Sequence, residues 1–100
     1  MKHYGSRSID EMGRMVLPAA LWKKLEWQTG AALALQIVND TVVLRLMNED
    51  IRTQCFSSEI NELGMITLPD ELRQEMRWEI RNKIDINYAD DNEAIILRLA

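Results

Sequence analysis

The sequence predicts a mostly β protein with two short helices, built from two tandem β-turn-β-α-β-β units that close on each other. Three observations carry this expectation. Residues 9–18, IDEMGRMVLP, and residues 60–69, INELGMITLP, are nearly the same ten residues written fifty-one positions apart. The same offset aligns Leu21 with Leu72 and Trp27 with Trp78. After a two-residue insertion in the second copy, the LRL of 44–46 meets the LRL of 97–99. Self-similarity at one period marks a repeated supersecondary unit. The chain therefore divides into repeat one (4–46), a linker (47–54) and repeat two (55–99), within a single domain spanning 1–100.

Each copy opens with an extended segment, residues 5–10 and then 56–61, that runs into a turn at Gly13 or Gly64. Glycine there supplies the positive φ of a tight reversal. RMVLP and MITLP follow as short strands that stop at a proline. Pro18 and Pro69 are placed as the first helical residues, because a fixed φ suits a helix start and the missing N–H is not needed there. Leu21 with Leu25, and Leu72 with Met76, give the i, i+4 stripe of a short helix ending near Trp27 or Trp78. Gly30 offers a stop in the first copy. Arg81 stands in its place in the second and predicts a different exit there.

A hairpin completes each unit. ALALQIV, the turn ND and TVVLRL form one, and KIDINYA, DDNE and AIILRLA form the other. One copy alone would expose the inner face of a four-stranded sheet, so the two must pack together. Trp27 and Trp78, at equivalent positions, are expected to plug the ends of that shared core.

A chain of 100 residues with 47% hydrophobic content can build this core without disulfides or metal. No apolar run reaches the roughly 18 residues of a membrane span. The opening MKHYGSRS has no apolar secretory stretch, so a soluble, cytoplasmic protein with no membrane partner is expected. Lys2 and His3 are read as part of a mobile terminus. The single cysteine, Cys55, reads as a small half-buried residue at the start of a strand, and one cysteine with one histidine makes no zinc site. There is no nucleophile beside a base, no histidine within either repeat and no glycine-rich phosphate loop. These features predict a non-enzyme with no cofactor and no metal. Asp90 and Asp91 are expected as solvated turn residues.

The net charge of −4 argues at first against a nucleic-acid partner, but it is unevenly spread. Residues 1–25 hold five basic and two acidic side chains, net +3. The equivalent residues 52–76 hold two basic and five acidic ones, net −3. One half can face an anion and the other would repel it.

The pattern Arg7-x-x-Asp10-x-x-Gly13-Arg14, then Val16, Leu17 and Pro18, a helix with Leu21 and Leu25, Gly30 and a last strand with Val42, Val43 and Leu44, resembles the AbrB-like swapped-hairpin superfamily. That group includes the AbrB and SpoVT regulators, the MazE-type antitoxins and the MraZ regulators. The resemblance covers both copies and implies two units interlocking their hairpins into one pseudo-twofold barrel. As in MraZ, one chain would supply both units. A linker of eight residues, roughly 26 Å when extended, also permits a homodimer that pairs like units.

The resemblance further implies that the loop before the turn and the start of the helix face double-stranded DNA. Carried over by position, the loop residue is Arg7, the turn arginine is Arg14, and the helix pair falls on Trp22 and Lys23, with Lys24 standing in for the first. In the second copy those places hold Ser58, Met65, Arg73 and Gln74, so Arg73 alone stays basic. Arginine's planar fork can pair bidentately with phosphate or guanine; methionine cannot. The expected DNA-facing set is Arg7, Arg14, Lys23, Lys24 and Arg73, with Asp10, Gly13 and Gly64 structuring the turns. A solvated helix face accounts for Lys23 and Lys24 nearly as well. Asp10 is expected to bond the turn backbone or orient Arg14.

The function predicted is a DNA-binding transcriptional regulator with the first repeat as its DNA-facing half. Two alternatives stand beside it. One is a protein-interaction module that has lost DNA binding and offers its acidic second repeat to a partner. The other is a MazE-type antitoxin, against which the strand AIILRLA at the end of this sequence counts, since those proteins usually carry a toxin-wrapping tail.

Overall fold

A computed structural model describes residues 1–100, with the side chain of residue 92 outside the description. The first copy folds as β1 (Lys2–Ser8), β2 (Arg14–Val16), α1 (Ala19–Lys24), β3 (Ala32–Val38) and β4 (Thr41–Leu46). The second repeats that plan as β5 (Phe56–Glu59), β6 (Met65–Thr67), α2 (Asp70–Met76), β7 (Lys83–Ala89) and β8 (Ala94–Leu99). A single 3-10 turn, Arg52–Gln54, lies in the linker.

Six strands form one antiparallel sheet in the order β1-β7-β8-β4-β3-β5, and β2 pairs with β6 in a separate two-stranded ribbon. The order is symmetric about the β8/β4 seam. The first strand of each copy adds to the hairpin of the other: Arg7 sits opposite Ile84, and Ser58 opposite Leu33. The ribbon joins the copies as well, Arg14 facing Thr67 and Val16 facing Met65. Equivalent backbone bonds extend it, with Leu17 N–H donating to Gly64 O (2.9 Å) and Leu68 N–H to Gly13 O (2.8 Å). The strands do not hydrogen-bond into a closed ring among the described residues: the sheet is open, with β1 and β5 at its edges. The reversals at Gly13 and Gly64 carry β2 and β6 out of the main sheet to pair with each other.

The core is filled by matched residues of the two copies. Ile9 and Ile60, Met15 and Ile66, Leu17 and Leu68, and Leu21 and Leu72 are all buried. Trp27 and Trp78 join them as expected. Strand alternation adds Leu33, Leu35 and Leu44, with Leu35 opposite Leu44, and Ile84, Ile86 and Leu97, with Ile86 opposite Leu97.

Four local expectations are corrected. Pro18 and Pro69 are helix caps rather than first helical residues, with extended ψ of 128° and 146°. A proline that closes a strand keeps extended backbone there, and the helix begins one residue later. The two exits after the helices do not differ. Arg81 takes φ +76° where Gly30 takes +86°, and each donates its N–H over 2.7 Å to the isoleucine of the other copy, Ile9 or Ile60. That bond holds arginine in a conformation it otherwise disfavours. Lys2 and His3 lie within β1, paired with Tyr88 and Asn87, because the strand begins earlier than its hydrophobic pattern and bulges at Gly5 (φ +85°). At its other end β1 stops at Ser8, and Ile9 turns into the core. Cys55 is half-buried just before β5, as expected. No helix of the structure is long and apolar enough to cross a membrane.

Candidate nucleic-acid interface

The two turns are built alike from different chemistry. In the first, Asp10 Oδ1 accepts from Met12 N–H (2.9 Å) and Arg14 N–H (2.8 Å), while its Oδ2 accepts from Arg14 Nε at 3.2 Å. In the second, Asn61 Oδ1 accepts from Leu63 N–H (2.9 Å) and Met65 N–H (3.0 Å). Both are Asx turns. Only the first has a second carboxylate oxygen to hold an arginine.

Foremost the Arg14 backbone N–H, then that of Met12, and then the charge of Arg14 keep the Asp10 carboxyl below its ordinary value of 3.8, against the opposing effect of partial burial. Its contribution to stability is therefore complete above 3.8 and is lost as pH falls through the lower folded value. Asp10→Asn keeps the two backbone bonds, as Asn61 shows, and should fold normally while losing this acid dependence. Melting curves of both proteins from neutral to strongly acidic pH check it; a difference between them that is constant with pH would contradict the assignment. Asn61→Ala, by contrast, removes two backbone partners and should cost about 1–2 kcal/mol in chemical denaturation.

Arg14 lies on the outer face of the β2–β6 ribbon, with Met15 and Ile66 pointing into the core behind it. Its side chain is 36% exposed. Asp10 takes its Nε, and its two terminal nitrogens have no partner among the described residues. Arg7 is exposed on β1, which lies against β2, and its Nη1 donates to Ser6 O (2.8 Å). Lys23 is exposed on α1, 5.9 Å from the ring of Trp22.

The other two candidates are occupied differently. Lys24 lies 5.0 Å over the ring of Tyr88 and lines a cleft between α1 and the hairpins. The side chain of Arg73 is only 17% exposed, donates from Nε to Leu68 O (3.1 Å), and pairs with Asp70. Its guanidinium packs under the first turn, where a Cβ on Gly13 would sit 2.9 Å from Nη2. Trp22, at the equivalent position, packs in the same way under Gly64. Each of these two residues supports the turn of the other copy. Sequence position alone gives no hint of that pairing, since it exists only because the copies exchange strands.

No protein-family model matches the chain, and no curated protein sequence matches it. Among solved structures, it is similar to one described as the solution structure of PHS018 from Pyrococcus horikoshii, with a TM-score of 0.52 and 16% identity, over 100% of this chain and 92% of that one. At that identity the likeness is one of fold.

Sequence reasoning also missed three features of the surface. Glu11, beside Asp10, forms an exposed ion pair with Arg81 at 2.7 Å. The turn tips Met12 and Leu63, equivalent residues, are 70% and 74% exposed. Arg45 and Arg98 are the middle residues of the two LRL triplets, so the repeat itself marked them; both line clefts.

Proposed function

We propose that the chain is a DNA-binding regulator of the AbrB-like swapped-hairpin class, with Arg14, Arg7 and Lys23 as its DNA-facing side chains. The observation that carries the reading is Arg14, held by Asp10 on the exposed face of a two-stranded ribbon, its outer nitrogens without a partner among the described residues. A β-ribbon fits the major groove, and an arginine so presented can reach phosphate or a guanine edge. The exchange of β1 and β5 between the copies supports the class. Arg73 is left out, its fork being committed inside the protein.

Each chain carries one such arm, because Met65 occupies the second. A palindromic site would then be read by two chains, one per half-site. Fluorescence anisotropy with labelled duplexes, titrated across salt, tests the reading. Arg14→Ala should weaken binding roughly tenfold and lower the salt slope by about one. Met65→Arg should strengthen binding. Equal affinity of wild type and Arg14→Ala would end the proposal.

A second reading, a protein-interaction module, is favoured by one observation. Met12 and Leu63 expose apolar side chains at the two turn tips, and the Met12 turn lies against α2, whose first turn carries Asp70 and Glu71. Absence of DNA binding at low salt would turn the search towards a protein partner.

A further inference from the structure

The pseudo-twofold axis gives the protein two equivalent clefts, each between a helix and the hairpins, and they differ in chemistry. In the second, Arg98 reaches Asp40 at 4.0 Å, and α2 contributes Glu75. Its arginine is answered by the protein. In the first, Arg45 stands where Arg98 does, Glu93 where Asp40 does, and Lys24 where Glu75 does.

There the arginine is not answered. Among the described residues, Arg45 Nε is buried without a hydrogen-bond partner. The same cleft is lined by two cations, Lys24 and Arg45, and two carboxylates, Glu26 and Glu93. No ion pair joins them among the described residues. The guanidinium lines the cleft without an ion-pair partner among the described residues, and a carboxylate supplied from outside can form a charge-assisted bond with it. The cleft measures about 610 Å³, and Trp27 and Tyr88 contribute to its wall. That volume falls in the range of small-molecule sites, roughly 300–1,000 Å³.

We infer that this cleft binds a small zwitterion of the free α-amino acid class. The ligand carboxylate pairs with the Arg45 guanidinium where it lines the cleft, with Lys24 alongside. The ligand ammonium lies towards Glu26 and Glu93, and its side chain meets the Trp27 and Tyr88 wall. A simple anion would leave the two glutamates unanswered and a simple cation would leave the arginine so; a zwitterion answers both. The inference does not depend on DNA binding.

NMR titration of the intact 15N-labelled chain with leucine and phenylalanine tests it, with acetate, inorganic phosphate and ethylammonium as singly signed controls. The Trp78 indole in the equivalent cleft is the internal reference. The expected result is a saturable shift of the Trp27 indole and the Arg45 and Leu46 amides at millimolar amino acid, with Trp78 unmoved. Controls should bind at least about tenfold more weakly. Arg45→Gln should lose the response, and Glu93→Gln, on an exposed turn where folding is not at stake, should weaken it about tenfold. The inference is overturned by no saturable shift, by acetate or phosphate binding as well as the amino acids, or by Glu93→Gln binding like wild type.

Discussion

Residues 1–48 made alone will not fold as a monomer. Every strand of the first copy would lose a cross-copy partner: β1 pairs with β7, β2 with β6, β3 with β5 and β4 with β8. The fragment would keep the β3–β4 hairpin, and an isolated two-stranded hairpin is marginal in water at best. Ile9, Met15, Leu17 and Leu21 would lose the facing half of their core. Adding residues 49–100 should restore a folded one-to-one complex, because the linker contributes only proximity. Amide dispersion by NMR, with sedimentation to count chains, decides the matter. A well-dispersed monomeric spectrum from 1–48 alone would mean that the copies are independent folding units.

The second large effect is expected at one of two glycines that look interchangeable. Gly13 and Gly64 have φ of +77° and +76°, so alanine is strained at either. Their surroundings differ. A methyl on Gly13 meets the half-buried, ion-paired fork of Arg73 at 2.9 Å, whereas one on Gly64 meets Trp22 Nε1 at 3.5 Å, an ordinary contact. Gly13→Ala should therefore cost roughly 2–3 kcal/mol and Gly64→Ala about 1 kcal/mol. Urea denaturation measures both. Adding Arg73→Ala to Gly13→Ala should remove the excess, a coupling that a double-mutant cycle isolates. Equal losses at the two glycines would show that Arg73 yields freely.

The framework was legible because the repeat restated it. The turn glycines, the prolines, the tryptophans and the alternating hairpins each occur twice and appear where the pattern put them, whereas the helices begin one residue after the prolines and the first strand of each copy is shifted or shortened by two to three residues. The left-handed residues that follow the helices were not legible. Glu26 and Arg77 take φ of +59° with no glycine to announce it, and Arg81 is held at positive φ by a bond to a distant strand. The candidate interface was readable at Asp10 and Arg14, whose contacts lie within five residues of chain. It was unreadable at Arg73 and Lys24, whose surroundings are assembled from the opposite copy: Gly13 over one, Tyr88 under the other. Local sequence encodes local bonds; contacts made by strand exchange appear only once the fold exists.

The exchange has one more consequence. In a symmetric dimer of identical chains every substitution is made twice, so a change that removes an arm from one side removes it from both. Here the two halves are written separately in one polypeptide while remaining inseparable in folding. Met65 can replace an arginine, Glu75 a lysine and Asn61 an aspartate without touching Arg14, Lys24 or Asp10, so long as the shared core is kept. A fused pair of this kind lets the two faces of one framework diverge independently, one keeping its basic residues and the other losing them.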